Sequence, residues 1–535
     1  MSKKLWPEAL NSHWALAFFS GLCLILAGPP IAFWPAVFVF PALFNLLVLR
    51  TQKVGLGFWW GFFTSFVSMV GLFYWVTYVI HMYGDLSWGI ACLLYLGFCG
   101  FAALNFPIFM AAAVWLQEQI DRRKPSRLWG NLWYILGLPA LFTLIEYFVP
   151  KLFPWTLGAA FYKTPWLSQT SELTGLTFST FAIYSTSSFL TPYLVKDERL
   201  PRPYHVLWLF PLTLWIFTVG FSLERIHDYA PDGKTLNVAL IQANIGSLEK
   251  RAAEGGIRNA VVYTLDHYES LTNQAMQQSP KPNLIVWPET AVPFQLVGTG
   301  VFAERVLNMA RRWDTAFITG AYAPVTWDYS RDYNAAYLLE PGPDGRVIRD
   351  SYDKNILLAF GEYMPLGDTF PILYKWFPEV SNFAHGTRQN AFTLRDGTRL
   401  GMTICYEDLM PHFFRRVAAN HINAIINISN DSWFGPTSEP YQHAAVASFR
   451  AIELRVPLVR VTNTGVSLMI DSLGRMTEAV GPDKEGDAVL PMHMPKDPPL
   501  TLYAQYGDWP VFILLAIVGS LVVVLFMKKH ASLSI

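Results

Sequence analysis

Seven long apolar segments precede residue 225 and an eighth lies near the C-terminus, and they leave this chain few folds to choose from. They run roughly 13–33, 31–49, 55–81, 88–116, 129–149, 176–195, 205–223 and 508–527, the first two meeting at Pro29 and Pro30. Most approach the ~20 residues that a helix needs to cross a bilayer core, with Trp and Tyr near many ends. Only 15% of the 535 residues are charged, well below the ~25% of ordinary soluble domains. Much of the chain is therefore expected to face lipid, in a bundle of about eight spans.

The basic residues predict how that bundle is oriented. Lys3 and Lys4 precede the first span. Arg50 with Lys53, then Arg122, Arg123, Lys124 and Arg127, then Lys196, Arg199 and Arg202 follow spans 2, 4 and 6. Lys528 and Lys529 follow span 8. By the positive-inside rule this alternation puts both termini in the cytoplasm. The stretch between spans 7 and 8 then lies outside the cell membrane. The first span is too long and aromatic for a cleaved signal peptide, lacks an A-x-A site after it, and reads as an uncleaved anchor. The expected domains are a transmembrane bundle over 1–230, a polar α/β domain over 236–495 and a last transmembrane helix over 506–530.

Within 236–495 the pattern changes to short Val/Ile/Leu-rich runs that alternate with polar helical stretches. Strand candidates are 236–244, 283–289, 316–322, 335–341, 399–405, 423–429, 457–463 and 466–471. Helix candidates lie near 259–278, 302–312, 408–420 and 440–455. Near-continuous apolar strands interleaved with helices predict sheets buried on both faces. This region carries a single cysteine, Cys405, at the end of the run RLGMTIC; Cys23, Cys92 and Cys99 all lie in apolar segments. A free thiol outside the cytoplasm is open to oxidation and calls for a reason. The bland one is that Cys serves as a small buried hydrophobe. The other is nucleophilic catalysis, since VWPET places Glu289, and YDKN places Lys354, beside strand-like runs. A thiol of pKa ~8.5 is mostly protonated at neutral pH and needs a base or a nearby cation.

The order LIQANI, VWPET, YDKNILLAFGEYMP, TICYED and ISNDSWFG resembles the carbon–nitrogen hydrolase (nitrilase) superfamily, an αββα sandwich with a Glu-Lys-Cys triad. With the domain between the seventh and eighth spans, the chain is similar to that superfamily's membrane-bound branch, the apolipoprotein N-acyltransferases. FPW (153–155) and Gln169, between spans 5 and 6, also resemble that branch. The resemblance implies Glu289 as general base, Lys354 as the oxyanion-binding cation and Cys405 as nucleophile. It implies Glu362, in FGEYMP, as support for the lysine and base, and Asn334, in YNAAY, as a neighbour of the triad. Glu407 either orients the turn after Cys405 or a substrate amine, or is a solvated loop charge. Tyr406, Trp433 and Phe434 are candidates for an acyl-chain pocket, with core packing as the alternative. One departure stands out: after LIQANIG the chain reads SLEKRAAEGG, without the tryptophan that the family tends to place there.

Other chemistries find less support. His412, His421 and His443 lack the i,i+4 spacing of a zinc helix, His385 and His443 read as structural, and no metal or cofactor is expected. No Gly-rich phosphate loop follows a strand and no nucleophile elbow holds a serine. A net charge of +0 gives no case for nucleic acid. The expected activity is transfer of an acyl chain from a membrane phospholipid, with phosphatidylethanolamine the implied donor. The chain passes through a Cys405 thioester to the N-terminal amine of diacylglyceryl-cysteine in exported apolipoproteins. An apolar lid that keeps water from the thioester is expected, with FPW and SWFG as candidates. The alternatives are a membrane-tethered amidase for a small nitrogen compound, for which eight spans have no use, and a non-catalytic scaffold. A bacterial inner-membrane monomer with its catalytic domain in the periplasm is the expected setting.

Overall fold

The computed structural model describes residues 12–195, 204–230, 232–296, 300–325, 331–342, 347–378, 380–498 and 500–527. Of the basic residues that set the orientation, Lys3, Lys4, Lys196, Arg199, Arg202, Lys528 and Lys529 lie outside these. The chain divides into two compact units. One comprises residues up to Ile80, Ser87–Asp228 and Tyr506 onward; the other comprises Tyr229–Gln505 and the short segment His81–Leu86.

The first unit is helical. Among the described residues, five helical stretches are long and apolar enough to cross a membrane: Val54–Leu72, Trp88–Arg123, Arg127–Phe148, Val206–His227 and Trp509–Met527. The first two apolar segments form shorter helices, His13–Ala27 and Ala36–Arg50, of 15 residues each. Prolines 29, 30 and 35 cut them to about 22 Å, below the ~30 Å hydrocarbon thickness. The third segment, expected to run to residue 81, stops at Leu72 and resumes as the short helix Val76–Gly84. The sixth forms Thr177–Leu194. Helices approach closely where side chains vanish: a Cβ on Gly61 would lie 2.5 Å from the Phe106 carbonyl oxygen. Buried polar groups are paired across helices, Asn45 Nδ2 donating to Ser188 Oγ at 2.8 Å and Tyr184 to Asn45 Oδ1 at 2.8 Å.

The second unit is a two-sheet α/β sandwich. The first sheet contains β1 (Thr235–Gln242), β2 (Leu284–Val286), β3 (Ala316–Pro324), β4 (Asp332–Leu339) and β5 (Ile348–Asp353). The second contains β6 (Ala391–Thr393), β7 (Arg399–Ile404), β8 (Ala424–Ser429), β9 (Leu458–Thr462), β10 (Ser467–Ile470) and β11 (Met476–Val480). The last strand, β12 (Gly486–His493), returns to the edge of the first sheet beside β1. Each sheet has a parallel trio, β1-β2-β3 and β7-β8-β9, flanked by antiparallel neighbours.

Strand alternation decides which side chains meet. Leu236, Val238 and Leu240 of β1 join Leu400, Met402 and Ile404 of β7 in the core between the sheets. Ala239 and Ile241 face the other way, into a cluster with Val261 and Leu265 of the helix Arg258–Ala275 and with Val306 and Ala310 of the helix Val301–Trp313. Both faces of the strands are thus covered, as the unbroken apolar runs require. The sequence expectation missed β5, β6, β11 and β12. The runs IRDSYD and MTEAV are largely polar and partly exposed, so they carry no apolar signature.

Candidate active site

Glu289, Lys354 and Cys405 each follow a strand: β2, β5 and β7 respectively. The turn carrying Glu289 is braced from behind. Buried Trp287 stacks on Tyr268 at 4.9 Å, and its Nε1 donates to Thr272 Oγ1 at 2.9 Å. Gly320 of β3 lies directly beneath, where a Cβ would sit 2.4 Å from the Thr290 nitrogen and 2.7 Å from the Glu289 Cα. Any side chain there would displace the carboxylate.

Lys354 is buried and shared by two carboxylates. Its Nζ donates to Glu289 Oε1 at 3.1 Å and to Glu362 Oε1 at 2.8 Å. Asn334, on β4, donates from Nδ2 to the same two oxygens at 2.6 and 3.0 Å. Glu362 Oε2 in turn accepts the Leu358 backbone N–H at 2.8 Å. Burial works against the lysine's charge, but Glu289 and Glu362 outweigh it and hold the ammonium well above its ordinary pKa.

Cys405 opens a 3₁₀ turn, Cys405–Leu409, with φ of +51°, a left-handed conformation costly for a residue with a side chain. Two side chains hold it. Asn427 Nδ2 donates to the Cys405 carbonyl at 3.2 Å. Glu407 Oε2 accepts the Ile404 N–H at 2.8 Å, while its Oε1 accepts the N–H groups of Asn355 and Ile356 at 2.6 and 3.0 Å. Tyr352 donates its hydroxyl to the same carboxylate. Glu407 is fully buried, not a solvated loop charge, and it ties the turn after Lys354 to the turn carrying the thiol. Burial pushes its pKa up to about 7, partly offset by these hydrogen bonds and by Lys354. Burial also pushes the half-buried Cys405 thiol well up, Glu289 adds to the rise, and Lys354 opposes it. A thiol so placed is protonated at rest, and any nucleophilic use of it requires a base.

Tyr406 and Phe434 are buried and Trp433 is half-buried. Trp433 packs on Tyr83 of the His81–Leu86 segment, with ring centroids 4.1 Å apart. The Tyr83 hydroxyl donates to the Ser432 carbonyl at 2.9 Å and lies 2.8 Å from Ser247 Oγ. In the helical unit, Phe153 of the FPW run packs on Trp75 at 4.8 Å, and buried Gln169 caps its own turn by donating to the Pro165 carbonyl.

Residues 237–495 match the carbon-nitrogen hydrolase family, and residues 20–189 match the apolipoprotein N-acyltransferase N-terminal domain. An apolipoprotein N-acyltransferase of Bdellovibrio bacteriovorus is 32% identical over 534 residues, which cover 96% of this chain and 94% of the relative. The chain belongs to the apolipoprotein N-acyltransferase family. A relative of that name from Geobacter metallireducens is 31% identical, over 95% of this chain and 94% of its own. The solved nitrilase-superfamily protein Nit3 of Saccharomyces cerevisiae matches 53% of this chain and 97% of its own at 17% identity, with a TM-score of 0.38.

In this family member a second ionic cluster, not expected from the sequence, lies behind the Cys405 turn. Arg460, on β9, donates from Nη1 to Asp408 Oδ2 at 2.6 Å and to Asn427 Oδ1 at 3.1 Å. Its Nη2 donates to both Asp431 oxygens at 3.0 and 3.1 Å. His443 bonds Asp408 through Nε2. Burial and Arg460 oppose a charge on His443, but the Asp408 and Glu439 carboxylates prevail and push its pKa up to about 9. Asp431, Glu439 and His443 have the donor set of a metal site. The Arg460 guanidinium and the imidazolium already supply the cations there. The available signal was a charged residue inside the apolar run PLVRVTN: a buried arginine demands carboxylates.

Proposed function

We propose that this chain N-acylates exported lipoproteins by a ping-pong route through Cys405. In the first half, Glu289 takes the thiol proton as Cys405 Sγ attacks an ester carbonyl of a membrane phospholipid, phosphatidylethanolamine being the proposed donor. Lys354 stabilises the tetrahedral oxyanion, a contact worth on the order of 3 kcal/mol. The intermediate collapses to a thioester, and the lysophospholipid alkoxide leaves with the proton from Glu289. In the second half, the α-amine of a diacylglyceryl-cysteine attacks the thioester and Glu289 accepts its proton. The C–S bond breaks, an amide remains, and the proton returns to the thiolate. Glu362 and Asn334 hold Lys354 and Glu289 in register, and Glu407 fixes the turn.

The observation that carries this reading is the Lys354 ammonium bridging Glu289 and Glu362 at 3.1 and 2.8 Å, in electrostatic reach of a thiol on a left-handed turn. The apolar helices and the family support a bacterial inner-membrane protein; we assign it about eight spans, a periplasmic catalytic domain, cytoplasmic termini and a monomeric state. The packing of His81–Leu86 with the catalytic domain supports that topology. The charge alternation puts the connection between spans 3 and 4 on the same face as the domain.

The test is intact-mass spectrometry of the purified protein after incubation with phosphatidylethanolamine in detergent, beside Cys405→Ala. A gain of one acyl chain on the wild type alone, released by hydroxylamine, is expected. Folded wild type that gains no mass, or a gain that persists in Cys405→Ala, overturns the proposal.

A further inference from the structure

The stretch SLEKRAAEGG, which departs from the family pattern, folds as the helix Ser247–Glu254 and brings Lys250 to the active site. Its ammonium donates to the backbone carbonyl of Glu289 at 3.2 Å. Lys250 is 8% exposed, and among the described residues no carboxylate lies within ion-pair distance of it. Lys354 provides the contrast, since it is also buried but is shared by two carboxylates. An ammonium taken out of water without a counter-ion is costly, so few proteins keep one without use. Burial holds the pKa of Lys250 below its ordinary value, against the fields of Glu254, Glu289 and the Cys405 thiol, which lie close enough to oppose it.

The helix is pinned where it stands. Ser247 Oγ lies 2.8 Å from the Tyr83 hydroxyl, and the Arg251 guanidinium sits 4.9 Å from the centre of the same ring. Arg251, next to Lys250, is exposed, so the two cations run from the thiol side outward. The three N–H donors of an ammonium, only one of them spent on a carbonyl, suit an oxygen anion.

From this we infer that Lys250 binds the phosphodiester oxygen of the acyl donor and so makes the first half-reaction selective for phospholipid over uncharged glycerides. The inference rests on the phospholipid-donor reading above and names the residue that enforces it. In a phospholipid the phosphodiester is separated from the reacting esters by the glycerol unit alone. A cation beside the base is therefore placed to register the carbonyl against Cys405.

The experiment compares acyl-enzyme formation from dioleoyl-phosphatidylethanolamine with that from dioleoylglycerol, which carries the same ester without the phosphate. Wild type, Lys250→Gln and Lys250→Arg are followed by intact mass in detergent. The wild type is expected to prefer the phospholipid. Lys250→Gln should cut that preference about 30-fold, the worth of one charged hydrogen bond. Lys250→Arg should keep most of it. An unchanged preference in Lys250→Gln, whether both rates fall together or neither does, overturns the inference and assigns Lys250 to the oxyanion or to the fold. Lys250→Met, which keeps the apolar stem, gives the same two readings should Lys250→Gln not fold. If wild type draws acyl chains only from small esters or amides and from neither lipid, the donor reading has failed, and this inference with it. A failure confined to the variants leaves the donor reading standing.

Discussion

The Glu289–Lys354–Glu362 cluster and the Asp408–His443–Arg460–Asp431 cluster both reach the Cys405 turn, but they differ in access and in how their charge is committed. In the first, one ammonium serves two carboxylates, and the Glu362 side chain and the thiol remain partly open to solvent. In the second, every member is sealed, with side-chain exposures of 0% to 3%. The first cluster is open enough to meet an incoming molecule. The second cannot meet one, and its reach to the thiol is mechanical: Arg460 holds Asn427, and Asn427 holds the Cys405 carbonyl. The strained Cys405 turn thus has an accessible ionic cluster on one side and a sealed one on the other.

The sharpest break of that contrast is Cys405→Ala. It should abolish acyl-enzyme formation while the protein stays folded and membrane-inserted, because both clusters survive without the sulfur. Loss of folding, read by thermal melting in detergent, would return Cys405 to the role of a buried hydrophobe.

Arg460→Met is the corresponding break on the support side. Asp408 and Asp431 would be left buried without their cation, a loss of about 3–5 kcal/mol in stability. Activity per folded molecule should fall much less. A variant that melts like wild type but has lost its activity would move Arg460 into the chemistry and dissolve the distinction between the clusters.

The two clusters leave very different traces in the sequence. Glu289 and Cys405 each sit just past an apolar run that forms a parallel strand, Lys354 is followed by the apolar run ILLAF, and Glu362 lies only eight residues from Lys354. The structure brings these together with Asn334. The second cluster joins Arg460 to partners 52 and 29 residues away, Asp408 and Asp431. Nothing local in TICYED or ISNDSWFG declares that those carboxylates point inward. Glu407 was ambiguous for the same reason, since its partners Asn355 and Ile356 come from a distant loop. The parallel cores of both sheets were legible from apolar runs, whereas the polar edge strands β5 and β11 were not. The helix breaks at prolines 29, 30 and 35 turned two expected spans into 15-residue helices.

Glu289→Gln probes the reactive side more gently than removing the thiol. The amide keeps the shape and can still meet Lys354 through its oxygen, but it cannot accept the thiol proton. Acylation at neutral pH should slow by about a hundredfold or more, measured as the rate of thioester appearance. Near-normal acylation would remove Glu289 from the base role and leave the first cluster as another support.

The smallest effect is a slope. His443 has an ordinary pKa of 6.5 and a folded value of about 9, so the folded protein holds its proton more tightly than the unfolded chain does. The stability this contributes is fully present below pH 6.5 and is lost as pH rises from there through about 9, by at most about 1.4 kcal/mol per pH unit. In His443→Gln that decline should flatten, while acylation of the folded fraction keeps its wild-type pH dependence, because the support cluster does not exchange protons with substrate. Denaturant melts between pH 6 and 9.5 measure the first, and thioester formation over the same range measures the second. If the acylation profile shifts with the stability profile, the imidazole is coupled to the thiol, and the two clusters act as one titrating unit.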